Sequence, residues 1–148
     1  MANRDGTLIA EVAQVTVDPS AGSVMVNQFW AAQDNGLTIN PKAVQGQIES
    51  NIIQATSRTL KEQVQFDQSS VTSLDWRAYQ ILTFPEVPQV TTVLINRPDQ
   101  KATGVGEAAT CPVAAAISNA IFDATGMRLR SLPFKADNVR AAFAAATL

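Results

Sequence analysis

The chain has 148 residues, of which 46% are hydrophobic and 16% charged, with a formal net charge of −2 at pH 7. That length and composition suit one globular domain burying roughly two thirds of its unfolded surface, and the charge is neither basic enough for a nucleic-acid binder nor large enough for a disordered chain. With no histidine and one cysteine, these residues alone build no Ser-His-Asp triad, histidine zinc site, disulfide or four-cysteine iron-sulfur site.

No run of eighteen apolar residues is present and the opening Ala2-Asn3-Arg4-Asp5 is polar, so neither membrane insertion nor a signal peptide is expected. Thr7 to Val17 and Ser23 to Ala32, joined by the turn residues Asp18-Pro19-Ser20-Ala21-Gly22, read as an antiparallel hairpin. Strict alternation puts Val24, Val26, Gln28 and Trp30 on one face and Met25, Asn27 and Phe29 on the other. Asp34-Asn35-Gly36 reads as a turn. Asn40-Pro41 starts a helix, because asparagine caps free amides and proline at the first helical position loses no hydrogen bond. Its apolar stripe is Val44, Ile48, Ile52, Leu60 and Val64, widened by Ile53. Gly46 inside that helix costs about 1 kcal/mol against alanine, which points to a close backbone or ligand contact. Glu49 points to a different side and reads as a solvated charge.

Gln65 to Pro88 is a structured excursion containing Trp76 and Tyr79, which with Trp30 could line a substrate channel, although aromatics of this kind are more often core or subunit contacts. Gln89 to Asn96 is the third strand, ended by Arg97-Pro98-Asp99. A second helix is expected from near Thr110, as N-cap, to Gly126, with Cys111 as a small residue in its first turn. A last helix runs from about Ala136 to Ala146, anchored by Val139 and Phe143. The predicted fold class is α+β: an antiparallel β-hairpin plus a third strand, packed with two main helices and a short C-terminal helix, all in a single domain over residues 1–148. The stripe Val44/Ile48/Ile52 and the alanine face of the second helix are expected to cover the sheet.

Gly104-Val105-Gly106-Glu107 carries the strongest functional signal. Two glycines let the backbone turn tightly and approach a ligand, a carboxylate stands at the mouth of the next helix, and the amides behind it could hold an anion such as phosphate. Gly-x-Gly before a helix is also common as a plain turn, and an acidic residue near a helix N-terminus is favoured by the macrodipole without any chemistry.

From Asp18-Pro19 to Leu132-Pro133 the sequence resembles the C-terminal part of the molybdopterin-binding large subunit of the xanthine dehydrogenase and aldehyde oxidase family. The matching pieces run in the family's order: Val17-Asp18-Pro19 with Gly22, Ala32-Gln33-Asp34-Asn35-Gly36, Ile39-Asn40-Pro41, Gly46-Gln47-Ile48-Glu49, Phe84-Pro85-Glu86-Val87-Pro88, Gly104-Val105-Gly106-Glu107 and Ala120-Ile121-Phe122-Asp123-Ala124-Thr125-Gly126. Gln47-Ile48-Glu49-Ser50-Asn51-Ile52-Ile53-Gln54 is similar to the branch that includes isoquinoline 1-oxidoreductase, where the commoner pattern has glycines in place of Ser50 and Asn51.

The resemblance implies that Glu107 is the general base of a hydroxylation that uses water on an aldehyde or N-heteroaromatic. It also implies that Gly46 and Gln47 contact the pterin and that Gly104, Val105 and Gly106 lie against the metal end of the cofactor, with no metal ligand from this chain. Molybdenum-molybdopterin would be shared with an upstream portion of the large subunit, and iron-sulfur clusters would sit only on a partner, an iron-sulfur subunit. The chain alone is then expected to be inactive, and apolar surface left by the upstream part makes a homodimer or an aggregation-prone monomer the expectation. The alternative is a stand-alone, cofactor-free domain with a structural or protein-binding role.

Overall fold

The computed structural model describes residues 1–146. Strands β2 (Thr7–Asp18) and β3 (Ser23–Asp34) pair antiparallel, as their alternation and the turn between them predict. The Asp18 carboxylate accepts the amides of Ser20 at 2.9 Å and Ala21 at 3.0 Å. Gly22 takes φ +69°, and a Cβ there would lie 2.2 Å from the Ala136 carbonyl oxygen, so no other residue fits without movement.

The faces of β3 depart from strict alternation. Gln14 pairs with Gln28 but Val15 pairs with Val26, so Asn27 is an extra residue, a β-bulge. Beyond it the phase reverses: Phe29, Ala31 and Gln33 are buried on the side of Val26, while Trp30 turns to the exposed face. The predicted grouping of Trp30 with Val26, opposite Phe29, is therefore wrong from the bulge onward.

Two further strands complete the sheet in the order β1-β2-β3-β4. The polar lead, from which no strand was expected, supplies β1 (Ala2–Arg4), antiparallel to β2; β4 (Gln89–Ile95) pairs parallel with β3. Helix α1 (Pro41–Leu60) is capped by Asn40, whose side-chain oxygen accepts the Ala43 amide at 3.1 Å. It buries Val44, Ile48, Ile52 and Leu60 but stops before Val64, which is exposed, because the amides of Lys61 and Glu62 both turn back to the Ser57 carbonyl.

Helix α2 (Val113–Thr125) ends at Gly126, which takes the left-handed φ of +73°. Thr110 does not cap it; residues Ala108–Thr110 form a separate 3-10 turn, and Cys111 follows as an exposed residue ahead of the helix. Of its alanines at 114, 115, 116 and 120 only Ala116 is buried, beside Val113, Ile117 and Ile121. Helix α3 (Ala136–Ala146) buries Val139 and rests Phe143 against the core.

Helix α2 lies over β2, and α1 over β3 and β4, so the two helices cover one face of the sheet as predicted, but α2 does so with Val113, Ile117 and Ile121 and not with the alanine face expected of it. The other face leaves Val12, Met25, Trp30, Val93 and Ile95 exposed. Among the described residues no helix is long and apolar enough to cross a membrane.

Candidate functional site

The turn from Gly104 to Glu107 leaves the end of β4 by way of residues 96–103 and is fixed from several elements at once. On β2, the Thr7 hydroxyl donates to the Gly104 carbonyl at 2.7 Å and shares a 2.5 Å hydrogen bond with the Thr103 hydroxyl. On α1, the Asn51 side-chain amide donates to the Gly106 carbonyl at 2.9 Å, and its oxygen accepts the Thr110 hydroxyl at 3.1 Å. On β1, the Arg4 guanidinium pairs with the Glu107 carboxylate at 2.7 Å. The Cys111 thiol and then Glu107 raise the pKa of Arg4, so this cation is firmly charged.

The Asp34-Asn35-Gly36 turn is confirmed, and it buttresses the same region. The Asp34 carboxylate accepts the Gly36 amide at 3.0 Å and pairs with Arg97 at 2.8 Å, and the amide hydrogen bond followed by Arg97 lowers its pKa. The Thr103 amide in turn donates to the Asn35 carbonyl at 2.9 Å, immediately before the glycine turn.

Between this buttress, the start of α1 and the turn lies a groove of about 480 Å³. Gln47, Val105 and Gly106 line it together, with Asn35, Asn40 and Val44. Gly46 and Gly104 are not part of the lining. Glu107, with 68% of its side chain exposed, stands past the end of the turn beside Arg4 and not buried in the interior. The helix mouth expected behind it is replaced by the 3-10 turn Ala108–Thr110, since α2 begins only at Val113.

Among the described residues, and leaving aside its immediate chain neighbours and its own helix backbone, a Cβ placed at Gly46, Gly104 or Gly106 would meet nothing within 4 Å. Gly46 therefore makes no close backbone contact with the described residues outside its own helix, which overturns that half of the expectation. The groove nevertheless has the character of a ligand site. The Asn35 side-chain oxygen is buried with no hydrogen-bond partner among the described residues, although Asn35 lines the groove. Such an acceptor waits for a donor, and Gln47, which lines the same groove, offers both an acceptor and a donor. A flat heterocycle edged with N–H and C=O groups, as a pterin is, fits this pairing of amides and apolar walls.

Arg4, Thr7 and Asn51 are the residues that sequence reading missed. The spacing of Asn51 after Gln47 was visible, and its replacement of a commoner glycine was the one available signal; the contacts from Arg4 and Thr7 span about a hundred residues and had none.

Residues 3–88 match the family described as the molybdopterin cofactor-binding domain. Over 133 residues the chain is 50% identical to a nicotinate dehydrogenase subunit from Pseudomonas putida, an alignment covering 90% of this chain and 11% of the relative. It is 34% identical over 127 residues to the beta subunit of isoquinoline 1-oxidoreductase from Brevundimonas diminuta, covering 86% and 16%. The solved aldehyde oxidoreductase from Desulfovibrio gigas superposes with a TM-score of 0.82 at 30% identity, over 93% of this chain and 15% of that one. The chain thus spans between 11% and 16% of the length of these three proteins.

Proposed function

This chain belongs to the molybdopterin cofactor-binding domain family, of the xanthine dehydrogenase and aldehyde oxidase type, and from that premise we propose that it forms the Glu107-bearing part of a molybdenum hydroxylase. The remainder of the cofactor site comes from an upstream portion of the large subunit, and the iron-sulfur clusters that carry electrons away belong to a partner subunit. N-heteroaromatics are the substrate class, in keeping with the relatives named for nicotinate and isoquinoline.

The observation that carries this reading is the shared groove. Gln47 from α1 and Val105-Gly106 from the turn line one cavity, and Glu107 follows at once in the chain. Gln47 and the Asn35 side-chain oxygen hold the pterin edge. Gly104 and Gly106, on either side of Val105, leave two positions of the turn without a side chain, so a planar group can lie against peptide backbone there; Gly46 does the same for the exposed side of α1. When bound, molybdenum-molybdopterin supplies the redox centre at which a carbon next to nitrogen is hydroxylated with oxygen from water.

Glu107 is the general base: its carboxylate takes the proton that this oxygen gives up. Such a base has to reach within about 2.6–3.2 Å of the proton, and a short turn with glycine at two of the three positions before Glu107 brings it close to a bulky cofactor. Alone, the chain is inactive, because an exposed carboxylate on half a cradle lacks the preorganised surroundings on which the rate depends.

The test is Glu107→Gln in the assembled, molybdenum-loaded protein, with metal content measured beside turnover of an N-heteroaromatic. Loss of a catalytic base costs on the order of a hundredfold or more, so turnover should fall by at least that factor while molybdenum is retained. Unchanged turnover at full metal loading would remove Glu107 from the reaction.

A further inference from the structure

We propose that Asn51 is the positioning residue for Glu107, an inference that rests on the reading of Glu107 as the base. Asn51 is 7% exposed and uses both ends of its side-chain amide: the nitrogen holds the Gly106 carbonyl at 2.9 Å and the oxygen holds the Thr110 hydroxyl at 3.1 Å. These two partners stand on either side of Glu107, one residue before it and three after. The pair therefore brackets the carboxylate-bearing residue and ties both flanks to one point on α1.

Peptide planarity makes this bracket directional. In a trans peptide the C=O and the following N–H point opposite ways within one plane. With the Gly106 carbonyl drawn toward Asn51, the Glu107 amide is aimed away from α1. Two glycines within four residues give this turn more conformational freedom than any neighbouring segment, and glycine has no side chain by which packing could restrain it. Thr7 holds the turn at Gly104, Val105 rests against the core and Arg4 meets the carboxylate itself; at Gly106, which has no side chain, the handle is its backbone oxygen, and Asn51 is the buried side chain that bonds it. The same α1 carries Gln47 one turn earlier, so the groove wall and the Glu107 turn are set by one rigid element.

Asn51→Ala in the chain, followed by amide hydrogen exchange, tests this. The Thr110 and Cys111 amides, which donate to the carbonyls of Glu107 and Ala108, should exchange at least tenfold faster, whereas Ala116, bonded to the Pro112 carbonyl at the start of α2, should not change. In the assembled, molybdenum-loaded protein the same substitution should lower kcat by about ten- to a hundredfold, with KM within about threefold and molybdenum retained, as misplacing a catalytic group does.

Thr110→Val keeps the shape and removes only the hydroxyl that orients the Asn51 amide. It should give a smaller change in the same direction, and it serves if Asn51→Ala disturbs α1. Unaltered exchange at Thr110 and Cys111 in both variants, or a rise in KM with kcat unchanged, would overturn the proposal. Should Glu107→Gln retain full turnover while the exchange result holds, Asn51 still orders the turn and the assignment of the base is what fails.

Discussion

The Gly104–Glu107 turn and the arm from Gln65 to Pro88 are both irregular chain, yet they are held in opposite ways. The turn is bonded by Thr7, Asn51 and Arg4, from three different elements far away in sequence. The arm is shaped by its own neighbours: Asp67 accepts the amides of Ser69 and Ser70, Asp75 those of Arg77 and Ala78, and Phe66 bridges to Val71. Tyr79 to Glu62, Leu82 to Ser57 and Lys61 to Glu86 fasten it to the last turn of α1 and the two residues after it. In consequence Trp76 is 74% and Phe84 92% exposed. A segment fixed from afar can hold one carboxylate in place, whereas a segment fixed locally presents apolar side chains outward, as a contact with another body of protein requires.

The contrast breaks most completely if the support beneath the turn is removed. Ile48, on the buried stripe of α1 one turn before Ile52, is fully buried. Ile48→Ala should cost about 2–5 kcal/mol in denaturant unfolding, the range for a core isoleucine truncated to alanine. Exchange at the Thr110 amide should rise with it, because the turn hangs from α1 through Asn51. A stability loss with no change at Thr110 would mean that the turn does not depend on the helix.

A second and smaller effect lies on the sheet beneath α2. Both carboxylate oxygens of Glu11 are buried without a partner among the described residues, and burial pushes its pKa up to about 8, against a weaker lowering by the amino terminus. The folded protein therefore keeps a proton that the unfolded chain releases near its ordinary value of 4.5. Stability should be greatest below that value and decline as pH rises through about 8, by on the order of a few kcal/mol. Glu11→Gln should flatten the profile. A flat profile in the unsubstituted chain would show that Glu11 reaches water or a counter-ion in solution.

The same contrast explains what could be read in advance. The hairpin, the Asn40 cap, the stripe Val44/Ile48/Ile52 and the Gly126 stop were legible because each is written within a few residues. The reversal of faces at Asn27 was not, since a bulge is a choice of register between two strands and leaves no local mark in polar residues. Nor was β1, whose three residues gain strand geometry only from pairing with β2. At the site, Gln47 and the Gly104–Glu107 turn stood out through glycine and resemblance, while Thr7 and Asn51 look like ordinary polar residues until the chain folds. Thr110 misled for a related reason: its hydroxyl was read as a helix cap and is used instead by Asn51.

The smallest effect sharpens the comparison from the side of the arm. Burial alone would raise the pKa of Glu86, but hydrogen bonds from Lys61 and Thr83 outweigh it and hold the carboxyl at about 2, below its ordinary 4.5. This contribution is present above pH 4.5 and is lost as pH falls through about 2. Lys61 and Glu86 are both partly exposed, with 25% and 40% of their side chains accessible, so solvent screens the pair. Glu86→Gln should therefore cost less than about 1 kcal/mol in global unfolding. Its mark should be local: the Glu86 and Val87 amides, bonded to the Thr83 and Phe84 carbonyls, exchange faster while Thr110 is unmoved. If Thr110 responded as well, arm and turn would be coupled through α1, and the division between chain held from afar and chain held by its neighbours would have to be given up.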